Sequence, residues 1–177
     1  MAASTDLPPE AIAFATRMYE AARAGQTAVF EQALPAGLPA NMTNEKGDSL
    51  LMLASYHGHA PLVTVLLRHG ADPNRVNDRG QSPLAGAVFK GEAEVIEALL
   101  AGGADPDHGS PSAMQAVALF RQEERWKGRF EGAAGRGLAG KEKGKEGKEG
   151  DEEGKGRERD EEGKRKREMA IDVCRSV

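Results

Sequence analysis

Two consecutive stretches of this chain are partial copies of each other. Aligned without gaps, residues 44–76 and 77–109 are identical at 13 of 33 positions. Other positions keep their character, as in the pair Tyr56 and Phe89. Self-similarity at a period of roughly 20–50 residues indicates a repeat architecture, in which each unit buries its apolar face against the next. The chain is therefore expected to fold as a stack of similar units rather than around one central core.

Each copy carries the start and stop signals of two helices that follow a turn. Ser49 and Ser82 lie where an N-cap is expected, and Pro83 falls at a first helical position, where its missing N–H costs nothing. Gly70 and Gly103 follow leucine-rich segments and are suited to end a helix in the left-handed conformation. The positions predicted to face neighbouring repeats are Leu51, Ala54, Val63, Leu66 and Leu67, and the small Ala54 and Ala87 should let paired helices approach closely.

This pattern resembles the ankyrin repeat, a β-turn followed by two helices with a 33-residue period. The family's T-P-L-H-x-A stretch is matched by SPLAGA in the second copy, and its glycine–histidine pair by Gly58 and His59. The resemblance covers roughly residues 11–121, and the whole sequence looks like the short, stand-alone ankyrin proteins of bacteria and fungi. It implies an all-α ankyrin-repeat solenoid. The motif histidine of the first helix is replaced by Met52 and Ala85, so we expect weaker coupling between repeats.

The repeat frame extends in both directions. Shifting it by 33 residues places Gly25 on Gly58, which predicts helices at 9–24 and 27–34. Downstream, one more helix is predicted from Ser112, and Trp126 and Phe130 either seal the end of the stack or belong to the tail. The ankyrin-repeat domain is thus predicted at 8–131, with an N-terminal cap repeat at 9–43, repeats at 44–76 and 77–109, and a partial C-terminal cap at 110–127.

The composition changes at about residue 132. Residues 140–168 contain only Gly, Lys, Arg, Asp and Glu, so they have no apolar side chain whose burial could offset the entropy of ordering the backbone. We predict that 132–177 form a disordered, low-complexity charged tail. A basic cluster runs from Lys164 to Arg167 and is either a solvated charge run or a nuclear-import signal. A third interpretation is that the tail arises from incorrect gene boundaries.

The motifs present argue against catalysis and against metal binding. His57, His59 and His69 lack the ligand number and spacing of a zinc site. We find no pattern of a nucleophile with its base and no phosphate-binding loop. The sequence therefore predicts no enzyme, no cofactor and no metal.

Charge and hydropathy restrict the partner and the compartment. The chain has 24 Lys+Arg against 28 Asp+Glu, a formal net charge of −4, which argues against a generic nucleic-acid binder. No apolar run approaches the roughly 18 residues of a membrane-spanning helix, and the N-terminus lacks the features of a secretory signal. The single cysteine, Cys174, fits a reducing compartment. We expect a cytoplasmic monomer, with the nucleus possible through the basic cluster.

The remaining candidate for function is the concave face of the stack, formed by turn tips and the exposed side of the first helices. Tyr56 and Phe89 are 33 residues apart and should stack side by side. An aromatic pair surrounded by charge is typical of a binding hot spot; the alternative is that Phe89 packs within the chain. The predicted partner-binding residues are Tyr56, Phe89, Lys46, Arg79, His57, Lys90, Asp48 and Gln81.

Two functional hypotheses follow. In the first, the chain is a non-enzymatic interaction module that binds a protein partner on the concave face, with Tyr56 and Phe89 as anchors and the charged residues giving selectivity. In the second, the charged tail acts as a nuclear-targeting segment or as a tether to an anionic partner, and the repeats are only a folded carrier.

Overall fold

A computed structural model of the chain describes residues 8–139, and within them the chain forms eight α-helices connected by short turns. The helices are α1 (Pro9–Arg23), α2 (Thr27–Ala33), α3 (Leu50–Tyr56), α4 (Ala60–Arg68), α5 (Pro83–Lys90), α6 (Ala93–Ala101), α7 (Ala113–Leu119) and α8 (Glu123–Glu131).

The helices stack in two layers. The first helices of the repeats, α1, α3, α5 and α7, pack side by side in chain order, and the second helices α2, α4 and α6 form the layer behind them, while α8 packs on α7. Isolated β-bridges, Thr43 to Ser49 and Gly109 to Ser112, close the turns before α3 and α7. Beyond these bridges the described residues contain no β-strand, so the all-α solenoid expected from the sequence is confirmed.

The predicted helix boundaries have the expected local chemistry. The side chains of Ser49, Ser82 and Ser112 each accept a backbone N–H from the first turn of the following helix. Gly70 and Gly103 have φ values of +84° and +85°, a conformation that L side chains adopt only with strain. These signals recur with the repeat, which is why the period was visible in the sequence.

A continuous core runs through the stack, with apolar side chains from all eight helices. Of the positions predicted to face neighbouring repeats, Leu67 is half-buried and the others are buried. Ala54 and Ala87 are fully buried, and their small side chains let adjacent helices approach closely. The largest fully buried side chains are Phe30, Phe130, Leu50, Leu51, Leu53, Leu62, Leu66, Leu84, Ile96 and Leu99.

The C-terminal end of the stack is a complete helix pair rather than the partial cap predicted at 110–127. Helix α8 extends to Glu131 and buries Trp126 and Phe130, which are 4% and 0% exposed. Between α7 and α8, Arg121 occupies the left-handed position (φ +56°) that a glycine holds in the preceding repeats. The two aromatic side chains therefore seal the stack.

The described fold also runs past the predicted boundary at residue 131. Residues 132–139, here called the C-terminal strap, turn back over the last repeat. Gly135 lies so close to the backbone of Gly103 that a Cβ there would come within 2.2 Å of its oxygen. The remainder of the predicted tail, including the basic cluster from Lys164 to Arg167, lies outside the described residues.

The strap takes the place that a further repeat would occupy. Asn41 bridges to the next repeat by donating to the Gly70 oxygen and accepting from the Asp72 N–H. Asn74, which is 33 residues later, makes the same pair of contacts with the following repeat. The third position in this series is Asp107, whose carboxylate accepts from Arg136 of the strap at 2.7 Å. The side chain at this register position (Asn41, Asn74 or Asp107) thus contacts the segment that follows its repeat in the stack.

Candidate functional site

The eight predicted partner-binding residues lie at opposite ends of the first helices. One group belongs to the hairpin turns before α3 and α5, and the other to the C-terminal ends of those helices. A helix of seven or eight residues is about 10–12 Å long, so the two groups are separate clusters. The hairpin group comprises Lys46, Asp48, Arg79 and Gln81. The helix-end group comprises Tyr56, His57, Phe89 and Lys90.

Asp48 and Gln81 do not face a partner, contrary to the sequence prediction. They are 2% and 8% exposed. The amide nitrogen of Asn77 donates to Asp48 Oδ1 at 2.8 Å and to Gln81 Oε1 at 3.1 Å, and Asn44 donates to the other Asp48 oxygen. Because a buried carboxylate requires such partners, Asp48 serves to join neighbouring hairpins, whereas Gln81 contacts Asn77 within its own hairpin.

Lys46 and Arg79 lie at the tips of the hairpins. Lys46 is exposed, and its backbone oxygen accepts from the N–H of Asp78 in the next hairpin at 3.2 Å. Arg79 is half-buried. With Glu45 and Asp78 beside them, these cations form part of a row of alternating charges, and they lie away from the predicted aromatic anchors.

The helix ends carry a row of three aromatic rings, one from each of three successive repeats. Tyr56 and Phe89 are stacked, with ring centroids 6.3 Å apart and planes 14° apart. Phe120 follows Phe89 at 5.3 Å in an edge-to-face arrangement. All three rings are half-buried, so each has one part packed within the chain and another part in solvent. We call Tyr56, Phe89 and Phe120 the aromatic ladder.

Phe120 was missed by the sequence analysis because it is out of register with Tyr56 and Phe89. Ser82 and Ser112 are equivalent N-caps but lie 30 residues apart instead of 33. With that shift, Phe120 corresponds to Lys90 rather than to Phe89. An alignment of the repeats on their N-cap serines places Leu119 on Phe89, so the sequence pattern gives no signal for the third ring.

A cation and an imidazole adjoin the first ring of the ladder. Lys90 Nζ lies 4.6 Å from the centroid of the Tyr56 ring, within the range of a cation–π contact. The exposed His57 ring meets Tyr56 edge to face at 5.5 Å. Tyr56 rests against Gly86 of α5, where a Cβ would come 3.7 Å from its ring. The structure therefore brings together Tyr56, His57, Phe89 and Lys90, as the repeat frame predicted.

The electrostatic surroundings of His57 are basic. Burial lowers its pKa, and His59, Arg23 and Lys90 lower it further because each disfavours a second positive charge. His59 itself is occupied, since its Nε2 donates to the backbone oxygen of Arg23 at 2.7 Å. Within residues 8–139, no three His, Cys, Asp or Glu side chains are placed to hold a metal ion together.

Comparison with known proteins identifies the fold. The family model described as ankyrin repeats (3 copies) matches residues 18–109, which is more than half of the chain. The chain belongs to the ankyrin repeat family. A Pseudomonas aeruginosa protein, named as an ankyrin repeat protein, is 52% identical over 58 residues, covering 33% of this chain and 34% of its own length. The chain thus spans about a third of that relative.

A solved structure is also similar in part. The human ASB11 ankyrin repeat domain matches at 30% identity with a TM-score of 0.48, over 50% of this chain and 40% of that one. Ankyrin repeats are in general protein–protein interaction modules and are typically not enzymes. In the described part of this ankyrin protein, no helix has the length and apolar character needed to cross a membrane.

Proposed function

We propose that this chain is a non-enzymatic interaction module that binds a protein partner on the aromatic ladder. The observation that carries this proposal is the alignment of three half-exposed rings from three successive repeats. Aromatic side chains that are held in place by neighbours can anchor a partner with little loss of side-chain entropy on binding. Such anchors typically account for most of the binding free energy of an interface.

The proposal narrows the surface first predicted. Tyr56 and Phe89 remain the anchors, and Phe120 joins them. His57 and Lys90 give electrostatic selectivity beside the rings. Lys46 and Arg79, at the hairpin tips, are secondary contacts for a partner large enough to span the concave face. We place the protein in the cytoplasm, in keeping with its single cysteine, and we expect it to be a monomer.

The direct test is affinity capture from native lysate with matched baits. The baits are the full chain, a chain ending at residue 139, the double variant Tyr56→Ala/Phe89→Ala, and Phe14→Ala. Phe14 is 43% exposed on α1, so its replacement removes an exposed aromatic ring away from the ladder. Circular dichroism verifies that every bait is folded.

We expect partners that bind the full chain, the chain ending at 139 and Phe14→Ala, but not the double variant. Truncating both rings should weaken binding by at least 2 kcal/mol, about thirtyfold, if they are hot-spot residues. Partners that survive in the double variant but are lost on removal of 140–177 would instead support the alternative, in which the tail is the functional segment and the repeats are its carrier.

A further inference from the structure

We propose that residues 169–177 of this same chain occupy the aromatic ladder while no partner is bound, so that the chain competes with the partner for its own binding surface. We call these nine residues the apolar segment. The proposal rests on the proposed function and adds a means of regulating it. It is carried by the composition of the apolar segment and by the half-exposed rings of the ladder.

The apolar segment differs from the charged stretch that precedes it. Residues 140–168, here called the charged linker, contain only Gly, Lys, Arg, Asp and Glu. Both stretches lie outside the described residues. Six residues of the apolar segment are hydrophobic: Met169, Ala170, Ile171, Val173, Cys174 and Val177. Full burial of one Met, Ile or Val side chain contributes about 1.5–3 kcal/mol. The charged linker offers no apolar surface for that burial, whereas the folded stack does.

The aromatic ladder is a continuous surface of the kind that such side chains require. Its three rings are half-buried, and the centroids of neighbouring rings are 6.3 Å and 5.3 Å apart. Rings at these distances are in contact, so an aliphatic side chain between two of them can touch both. The thioether of Met169 would add favourable contacts between its sulfur and the rings.

The other exposed apolar side chains of residues 8–139 are more dispersed. Ile12 and Phe14 are 53% and 43% exposed on α1. Positions two residues apart are about 200° apart around a helix axis, so these two side chains diverge. Val76 lies before α5, and Leu138 lies in the strap. The ladder, whose rings adjoin one another, is therefore the better surface for a run of apolar residues.

The charged linker is long enough to bring the apolar segment to every ring. It has 29 residues and begins directly after Ala139 of the strap. A Gly-rich chain of that length without fixed structure spans about 30 Å on average. Packed helices are about 8–10 Å apart, so α3 and α7, which carry the outer rings, are separated by about 16–20 Å. The apolar segment thus reaches the whole ladder without an extended linker.

Tethering makes a weak contact sufficient. A flexible tether of this kind gives an effective concentration of the order of 1 mM. An apolar segment that binds the ladder only weakly would then occupy it for much of the time, and a partner that binds more tightly would displace it. Removal of the apolar segment would in turn strengthen partner binding.

The test is disulfide trapping in the full chain, with Cys174 as the reporter because it is the single cysteine of the sequence. A second thiol is introduced by Lys90→Cys, beside the ladder, where the lysine Nζ lies 4.6 Å from the Tyr56 ring. Lys127→Cys on α8 is the matched control, and Arg17→Cys reports on α1, since Arg17 lies 5.9 Å from the Phe14 ring. All three positions are exposed, so the variants should keep the fold, which circular dichroism verifies.

The variants are oxidised at low protein concentration in a glutathione buffer, and intramolecular disulfides are measured by mass spectrometry. Each rate is divided by the rate of the same variant in concentrated urea, which corrects for the length of the loop that the disulfide closes. Lys127 is a stringent control, because it is closer to Cys174 along the chain than Lys90 is.

We expect Lys90→Cys to form the disulfide at least about tenfold faster than Lys127→Cys on this relative scale, because docking raises the local concentration of Cys174 at the ladder. The additional substitutions Ile171→Ser and Val173→Ser should lower the rate of Lys90→Cys to that of Lys127→Cys. These substitutions leave every residue of the ladder in place.

Three results would overturn the proposal. The relative rates of Lys90→Cys and Lys127→Cys are equal, or Arg17→Cys is the fastest, or the serine substitutions leave the rate of Lys90→Cys unchanged. A disulfide found between two chains rather than within one would also contradict occupancy by the same chain. In each case the lysate capture with Tyr56→Ala/Phe89→Ala still decides the proposed function independently.

Discussion

At the scale of single residues, two glycines of α5 have opposite effects on stability. Gly86 lies inside the helix, where glycine is less favourable than alanine by about 0.5–1 kcal/mol. Gly91 ends the helix at φ +76°, a conformation that costs an L side chain about 1–2 kcal/mol. No atom lies within 4 Å of the position of a Cβ at Gly91, so any penalty there comes from the backbone alone.

We therefore expect Gly86→Ala to raise the free energy of unfolding by about 0.5–1 kcal/mol and Gly91→Ala to lower it by about 1 kcal/mol. The new methyl group at Gly86 would be in ordinary van der Waals contact with Tyr56. Urea unfolding followed by circular dichroism measures both changes. Equal effects of the two substitutions would contradict the assignment of Gly91 as a left-handed helix end.

At the scale of elements, the C-terminal strap depends on one buried carboxylate. Asp105 is 3% exposed and accepts the backbone N–H groups of Asp107 and Ala139, both at 3.0 Å. Burial raises the pKa of this carboxyl, but the N–H donors of Gly137, Asp107 and Ala139 outweigh that effect, and the pKa is lowered overall. The charged form of Asp105 is therefore the form that holds the strap.

Removal of the strap should destabilise the stack in a pH-dependent way. At neutral pH, the free energy of unfolding of a chain ending at residue 131 should be about 1–3 kcal/mol lower than that of a chain ending at 139, because Asp105 loses hydrogen-bond donors of the strap. The pKa of Asp105 is lower in the folded than in the unfolded chain. Its contribution is thus complete above the unfolded value of about 3.9 and is lost as the pH falls through the folded value.

Denaturant unfolding of both chains between neutral and acidic pH measures this difference. Asp105→Asn in the chain ending at 139 is the matched control, since it removes the charge and keeps the strap. The Asp105→Asn substitution should lower the free energy of unfolding at neutral pH. It should also remove the loss of the strap's stabilising effect in the acidic range. A stability difference between the two chains that stays constant into strong acid would show that Asp105 does not hold the strap.

The elements that could be predicted from the sequence are those whose signals repeat with the period. The N-cap serines and the helix-ending glycines locate α3 to α6, and Gly25 extends the same frame to α1 and α2. The last pair could be predicted only in part, because Ser112 comes three residues early and Arg121 replaces the glycine at the helix end. The strap is glycine-rich like the tail that follows it, and its contacts with Gly103, Asp105 and Asp107 could not be predicted from composition.

The candidate site was predictable to the same extent. Tyr56 and Phe89 stack because equivalent positions in adjacent repeats are neighbours, which the period alone implies. Asp48 and Gln81 were assigned to the surface in error. Asp48 is covered by Asn77 of the next hairpin, and Gln81 lies against Asn77 within its own hairpin. Spacing along one turn carries no information about the contact between Asp48 and Asn77.

At the scale of the whole molecule, each layer of the stack carries a different property. The first helices present aromatic rings at their C-terminal ends, the hairpins join successive repeats through the buried pair of Asp48 and Asn77, and α8 with the strap closes the end. A rigid stack of this kind orders the ladder before any partner arrives, which reduces the entropy lost on binding. The central claim is that the partner contacts the ladder and not another face of the stack.

Site-specific photo-crosslinking tests this claim most directly. A photoreactive amino acid is placed, one position at a time, at Lys90 beside the ladder, at Lys46 on a hairpin tip, and at Lys127 on α8, three exposed positions. After irradiation of the full chain in native lysate, we predict a covalent adduct of defined mass from position 90 and none from position 127. A weaker adduct from position 46 fits a partner that spans the concave face. Adducts from position 127 with none from position 90 would contradict the account.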